Sequence, residues 1–180
     1  MKNISRRFAA FTLIELLVVI AIIGTLASLA LPAITSAMVK GKLTQAMSNY
    51  RQLYIVTQEA SLDAQSSGST NPIWPGDAGG STSTWAAALT NGSNYISDAT
   101  FNTLMTIPGA GITGTVVQSV SANSQPNDVF INSANLTNTG VIAGSTLFSG
   151  KGGALVTCGG QAVVIMGTNL NTNNYSFSTN

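Results

Sequence analysis

The chain has 180 residues and a mass of 18.4 kDa, enough for one folded domain with a modest extension and too little for two cores. Only 7% of the residues are charged while 44% are hydrophobic, and the mean hydropathy is +0.30, so the apolar weight must be concentrated in one place. Histidine is absent, which excludes Ser-His-Asp and Cys-His catalysis and every His-ligated metal site, and a net charge of +1 without a basic cluster predicts no nucleic-acid partner. Cys158 is the sole cysteine, so neither an intrachain disulfide nor a cysteine zinc site can form, and its neighbours read it as a passive small hydrophobe.

The apolar weight lies at the front. Residues 1–10 carry Lys2, Arg6 and Arg7 and no acid, and residues 11–31 form an apolar run broken by one charge, Glu15. As a helix this run spans about 32 Å, close to the thickness of a bilayer's hydrocarbon layer. The basic leader predicts a cytoplasmic start and places the remainder across the membrane. A secretory signal peptide has a shorter apolar core and no use for a carboxylate inside it, and a plain membrane anchor leaves Glu15 equally unexplained. An acid in a spanning helix needs a partner. A cut between Ala10 and Phe11 would create one, an α-amine four residues before Glu15, which can pair within a helix or between neighbouring helices.

Phe11-Thr12-Leu13-Ile14-Glu15-Leu16-Leu17-Val18-Val19-Ile20-Ala21-Ile22-Ile23-Gly24 behind a short basic leader resembles the processing and assembly motif of type IV pilins and of type II secretion pseudopilins. The resemblance implies cleavage between Ala10 and Phe11 by a membrane prepilin peptidase, N-methylation of Phe11 by the same peptidase/methylase, and Glu15 pairing with the Phe11 amine of an adjacent subunit. The family usually has glycine before the scissile bond, where Ala10 stands here. Gly24 and Pro32 fall where the family places helix-loosening residues. The implied partners are the inner-membrane assembly platform, membrane lipid and identical or related pilin subunits in a filament.

Past Pro32 the pattern turns amphipathic, with Ile34, Met38, Leu43, Met47, Tyr50, Leu53 or Tyr54, and Thr57 spaced near the 3.6-residue period, which predicts a helix continuing to about residue 62. Pro32 removes a helical hydrogen bond and is expected to kink or loosen the helix there. Residues 63–114 read as a Ser- and Gly-rich loop holding a type II turn at Trp74-Pro75-Gly76-Asp77 and two short helices, one from Trp85 closing on Asn91-Gly92 and one opening at Ser97-Asp98. Trp74 and Trp85 are read as packing anchors, with a sugar-binding platform as the alternative. From residue 115 onward, β-branched stretches at 115–120, 129–131, 141–148, 154–158 and 161–166 predict an antiparallel sheet, with Gly159-Gly160 as a two-residue hairpin turn. The sequons Asn135-Leu136-Thr137 and Asn174-Tyr175-Ser176 are read as incidental.

The expected fold is therefore α+β: a long N-terminal helix, half membrane-embedded and half amphipathic, packed on a small antiparallel β-sheet in the pilin manner. Its parts are a leader (1–10), a transmembrane assembly helix (11–31), the amphipathic half of that helix (32–62), a loop with short helices (63–114) and the sheet (115–180). The expected role is structural and not enzymatic: a subunit of a membrane-assembled filament in the bacterial inner membrane, leader cytoplasmic and C-terminal domain periplasmic. A lone cysteine cannot close the C-terminal disulfide loop of many type IVa pilins, which favours a type II secretion pseudopilin over a pilus subunit for adhesion, motility or DNA uptake. A membrane-anchored periplasmic binding protein is the remaining alternative. Major pseudopilins often hold calcium through carboxylates in their last loops, whereas the last acid here is Asp128, so no metal and no cofactor is expected.

Overall fold

The structure is a computed structural model that describes residues 11–69, 73–91, 95–109, 113–136, 147–167 and 174–177. The leader with Lys2, Arg6, Arg7 and Ala10, the helix-closing Gly92, the predicted strand residues 141–146 and Thr137 of the first sequon lie outside the described residues. The chain divides into two compact units, Met1–Met38 and Val39–Asn180.

Helix α1 (Leu13–Ser66) contributes to both units and is continuous through Pro32. Its stop is set by Gly68, whose positive φ of 66° lets the Ser69 amide bond to the Ala64 carbonyl at 2.9 Å and the Gly68 amide to Gln65 at 3.4 Å. This is a Schellman closure, and it carries the helix beyond the residue 62 expected from hydrophobic spacing.

Within the second unit, α1 buries Val39, Leu43, Ala46, Tyr50, Leu53, Thr57, Ala60 and Ser61. Up to Ala60 these positions alternate steps of four and three residues, the spacing of one helix face. Leu43, Tyr50, Leu53 and Thr57 are buried as the spacing predicts, and the face differs at its margins: Ile34 and Met38 are exposed and Met47 only half-buried, while Ala46 and Ala60 are fully enclosed. Alanine's side chain is a single methyl, so these two positions are enclosed with little volume of their own, whereas the longer Met47 keeps part of its length in solvent.

The sheet has four antiparallel strands in the order β1 (Thr115–Val116), β2 (Val129–Asn132), β3 (Gly152–Thr157) and β4 (Ala162–Met166). The fold is α+β and pilin-like, a long N-terminal helix on a small four-stranded sheet, with α2 (Thr82–Thr90) and α3 (Asp98–Met105) as the other two helices among the described residues. Each short helix is opened by a serine, Ser81 accepting from the Thr84 amide and Ser97 from the Thr100 amide, both at 3.1 Å.

Three local expectations differ from the structure. Strand β1 ends after Val116, because the chain turns at Val117 to Val120 and the Val120 carbonyl is taken by the Gly76 amide at 2.7 Å. Trp74 to Ala78 closes by a bond from the Ala78 amide to the Trp74 carbonyl at 2.8 Å, a five-residue turn without the positive φ at Gly76 that a type II turn requires. Leu147–Gly150 is a 3-10 turn and not the end of a strand.

The hairpin joining β3 to β4 is present, with a different turn. The Gly160 amide bonds to Thr157 and the Thr157 amide to Gln161, leaving three loop residues, of which Gly160 alone takes a positive φ, 77°. That is a type I turn followed by a glycine bulge. Gly159 is recruited elsewhere, its amide donating to the Pro126 carbonyl at 2.9 Å.

One face of the sheet meets α1, α2 and α3 in a core centred on Phe130. Tyr54, Trp74 and Trp85 approach the Phe130 ring edge-on at 6.0, 5.3 and 5.4 Å. The opposite face carries a smaller cluster of Val129, Leu136 and Leu155, against which Tyr175 and Phe177 pack. Between β2 and β3 a buried polar knot holds the chain: Ser133 Oγ donates to Asn135 Oδ1 at 2.7 Å, and Asn135 Nδ2 donates to the Gly152 carbonyl at 2.7 Å.

Candidate functional site

The sequence directs attention to the start of α1. Every residue from Phe11 to Met38 is exposed, including Phe11 at 75%, Leu13 at 86% and Ile20 at 60%. A helix that is apolar on all sides and covered by none of its own chain is built for lipid or for neighbouring helices. This part of α1 is long and apolar enough to cross a membrane.

The hydroxyls inside the stretch are accommodated locally. Thr25 donates to the Ile22 carbonyl at 2.8 Å, Ser28 to Thr25 at 2.9 Å and Thr35 to Pro32 at 3.0 Å, so these three hydroxyls are satisfied by their own helix.

Glu15 lies on the first turn, and its carboxylate has a partner within the described chain. Its Oε2 accepts from both the Thr12 amide and the Thr12 hydroxyl at 2.8 Å, and the Glu15 amide donates back to the Thr12 hydroxyl at 3.3 Å. Thr12 and Glu15 thus form a reciprocal capping box at the amino end of α1, where the helix dipole also favours negative charge. A threonine followed three residues later by glutamate ahead of an apolar run is the sequence signature of that motif, and attention to charge alone passes over it. Phe11 precedes the helix; it and Glu15 lie on the same short segment, while Gly24 and Pro32 lie farther along α1 with Pro32 inside it.

The tryptophans do not form a binding platform. Trp74 is 4% exposed and Trp85 fully buried, with Trp74 Nε1 donating to Ser61 Oγ at 3.2 Å. A cleft of ≈ 690 Å³ in the second unit lies beside the end of α1 and α2, lined by Ala60, Asp63, Ala64, Ser67, Ala87 and Tyr95 among others. Asp63 is its one carboxylate among the described residues, accepting from the Tyr95 hydroxyl at 3.1 Å, so the cleft lacks the paired acids of glycoside chemistry.

Cys158 sits half-buried at the β3–β4 turn. Burial, reinforced by the negative charge of Asp128, pushes its thiol from 9.0 up to about 12, which keeps it protonated and unreactive at neutral pH. Among the described residues no three Cys, Asp or Glu side chains converge as metal ligands do.

Residues 5–31 match the family model described as the prokaryotic N-terminal methylation motif. The chain carries the type IV pilin-like prepilin signal. No curated protein and no solved structure matches the chain. The motif belongs to structural pilin-type subunits and implies processing by a prepilin peptidase and assembly into filaments. It spans the last six residues of the leader, the capping box and the apolar run, and its described residues, 11–31, are all exposed.

Proposed function

We propose that the protein is a pseudopilin of a type II secretion system, a structural subunit that a membrane platform adds to a filament. The observation that carries this reading is the methylation motif matched at residues 5–31, of which residues 13–31 lie on the part of α1 that exposes every side chain. The peptidase would cut between Ala10 and Phe11 and methylate the new amine. Cleavage would remove three of the seven basic side chains, leaving four against six acids, a side-chain sum of −2. The subunit would start with its leader in the cytoplasm and its folded domain in the periplasm, held by 11–31 as a single span.

Glu15 gains a second role under this reading. Before cleavage its carboxylate is taken by Thr12; afterwards the Phe11 amine of a neighbouring subunit offers a charged partner that outcompetes a hydroxyl. That exchange would set the axial stagger between subunits. Gly24 and Pro32 would ease local unwinding when the helices pack. The secretion reading is preferred to a pilus because a single cysteine supports no disulfide-closed C-terminal loop.

Intact-mass measurement and N-terminal sequencing of protein from the membrane and filament fractions of its own host test the reading. The expected product begins at methylated Phe11. Assembled filaments made of chains that begin at Met1 would overturn it. Deletion of the gene separates the two machines: loss of protein secretion with surface fibres intact supports the pseudopilin, and the reverse outcome supports a pilus subunit.

A further inference from the structure

The two edges of the sheet are built differently. At one, β1 has two residues and the chain turns away at once, so little backbone is offered for pairing. At the other, β4 is five residues long with the sequence Ala-Val-Val-Ile-Met, with no charge, proline or bulge along it. Soluble domains guard such an edge with a lysine, a proline or a covering loop. Residues 161–167 contain no charged side chain at all, and no strand pairs with the far side of β4 among the described residues.

The register fixes which backbone groups are free. The Thr157 amide bonds to Gln161 and the Gly167 amide to Lys151, so in an antiparallel ladder Gln161, Val163, Ile165 and Gly167 direct their N–H and C=O groups toward β3. Ala162, Val164 and Met166 direct theirs outward. These three residues are self-complementary about Val164. A second β4 laid antiparallel sets Val164 against Val164, small Ala162 against large Met166, and on the other face Val163 against Ile165. Each outward N–H then meets an outward C=O, about six backbone bonds in all. With no charge on the strand, no like-charge contact opposes the two-fold arrangement.

We infer that β4 is a homotypic docking edge, at which two copies of this chain pair their β4 strands antiparallel about Val164 into one continuous eight-stranded sheet. Such an isologous contact closes on two chains, unlike the head-to-tail contacts that extend a filament. The inference does not rest on the filament reading, since it uses the second unit alone.

Disulfide trapping of the full-length chain in detergent tests the register. In a Cys158→Ala background, Val164→Cys places two thiols on residues about 5.5 Å apart at Cα, within disulfide reach. Met166→Cys leaves its two copies about 14 Å apart, out of reach. Oxidation should therefore dimerise the Val164→Cys chain at least about tenfold more than the Met166→Cys chain. A mixture of Ala162→Cys and Met166→Cys chains should cross-link where neither does so alone. Equal cross-linking at the three positions, or none at Val164→Cys in a chain that melts normally, would overturn the pairing. Adding Glu15→Ala to the Val164→Cys chain separates this contact from filament assembly: undiminished dimer supports the docking edge, and its loss shows that the contact belongs to the apolar helix instead.

Discussion

Residues 13–38 and 39–66 belong to one helix and live under opposite rules. The first stretch exposes every side chain; the second encloses eight of them. In the first, almost any apolar residue serves, because lipid and neighbouring helices accept side chains of many shapes, and information resides in the rare polar groups: Thr12, Glu15, and the hydroxyls that bond back to their own helix. In the second, polarity is spread over the outer face and information resides in size. Ala46 and Ala60 matter there because they are small, and Tyr50 and Leu53 because they fill the space left.

A charge placed in each stretch gives the sharpest contrast. Leu53→Asp puts an unpaired carboxylate on a fully buried site and should cost several kcal/mol, enough to unfold a domain of ordinary stability. A cooperative melt unchanged by this substitution, measured on the chain starting at Met38, would show that α1 does not dock through this face. Glu15→Ala does the converse, removing the one charge from residues 11–31. Membrane insertion and the melting temperature of the folded domain should be unchanged while filament yield falls below detection, and filaments at normal yield would assign Glu15 to helix capping alone.

A smaller effect is expected from the polar knot between β2 and β3. Asn135→Ala deletes both its bond to the Gly152 carbonyl and the acceptor for Ser133, and should destabilise the domain by about 1–3 kcal/mol with filament contacts untouched. Chemical denaturation gives the number directly; a loss indistinguishable from zero would mean that water replaces both bonds.

The smallest effect concerns alkaline pH and belongs wholly to the second stretch and its sheet. Burial raises the Tyr50 hydroxyl above its usual 10.0, and the Cys158 thiol stands at about 12. Both groups hold their proton more tightly folded than unfolded, so their contribution is complete below about pH 9 and is lost as pH rises toward their folded values. Melting temperature should decline from pH 9 upward, less steeply in Cys158→Ala, and in Tyr50→Phe the further decline above pH 10 should shrink. Tyr50→Phe should also be the more stable protein at neutral pH, by about 1 kcal/mol, since the buried Tyr50 hydroxyl has no hydrogen-bond partner among the described residues.

The apolar run, Glu15 and the amphipathic continuation were legible from composition and spacing because each is a local property of consecutive residues. So was the α+β class, and so was the Ser97 cap of α3, where a side chain bonds to an amide three residues on, whereas the Ser81 cap starts α2 at Thr82, earlier than the expected Trp85. The Thr12–Glu15 box and the Gly68 stop were equally local in kind, though hidden behind stronger signals of charge and hydropathy. Only the tertiary structure decided the margins of the buried face of α1, where Ala46 and Ala60 are enclosed while Met47 is half-buried and Met38 exposed. It also decided that Trp74 and Trp85 meet on Phe130 and that Gly159 is drawn to Pro126, changing the hairpin turn. The same holds for the edge of β4: a strand's sequence states that it can pair, and only the order of the sheet leaves one side of it without a paired strand among the described residues.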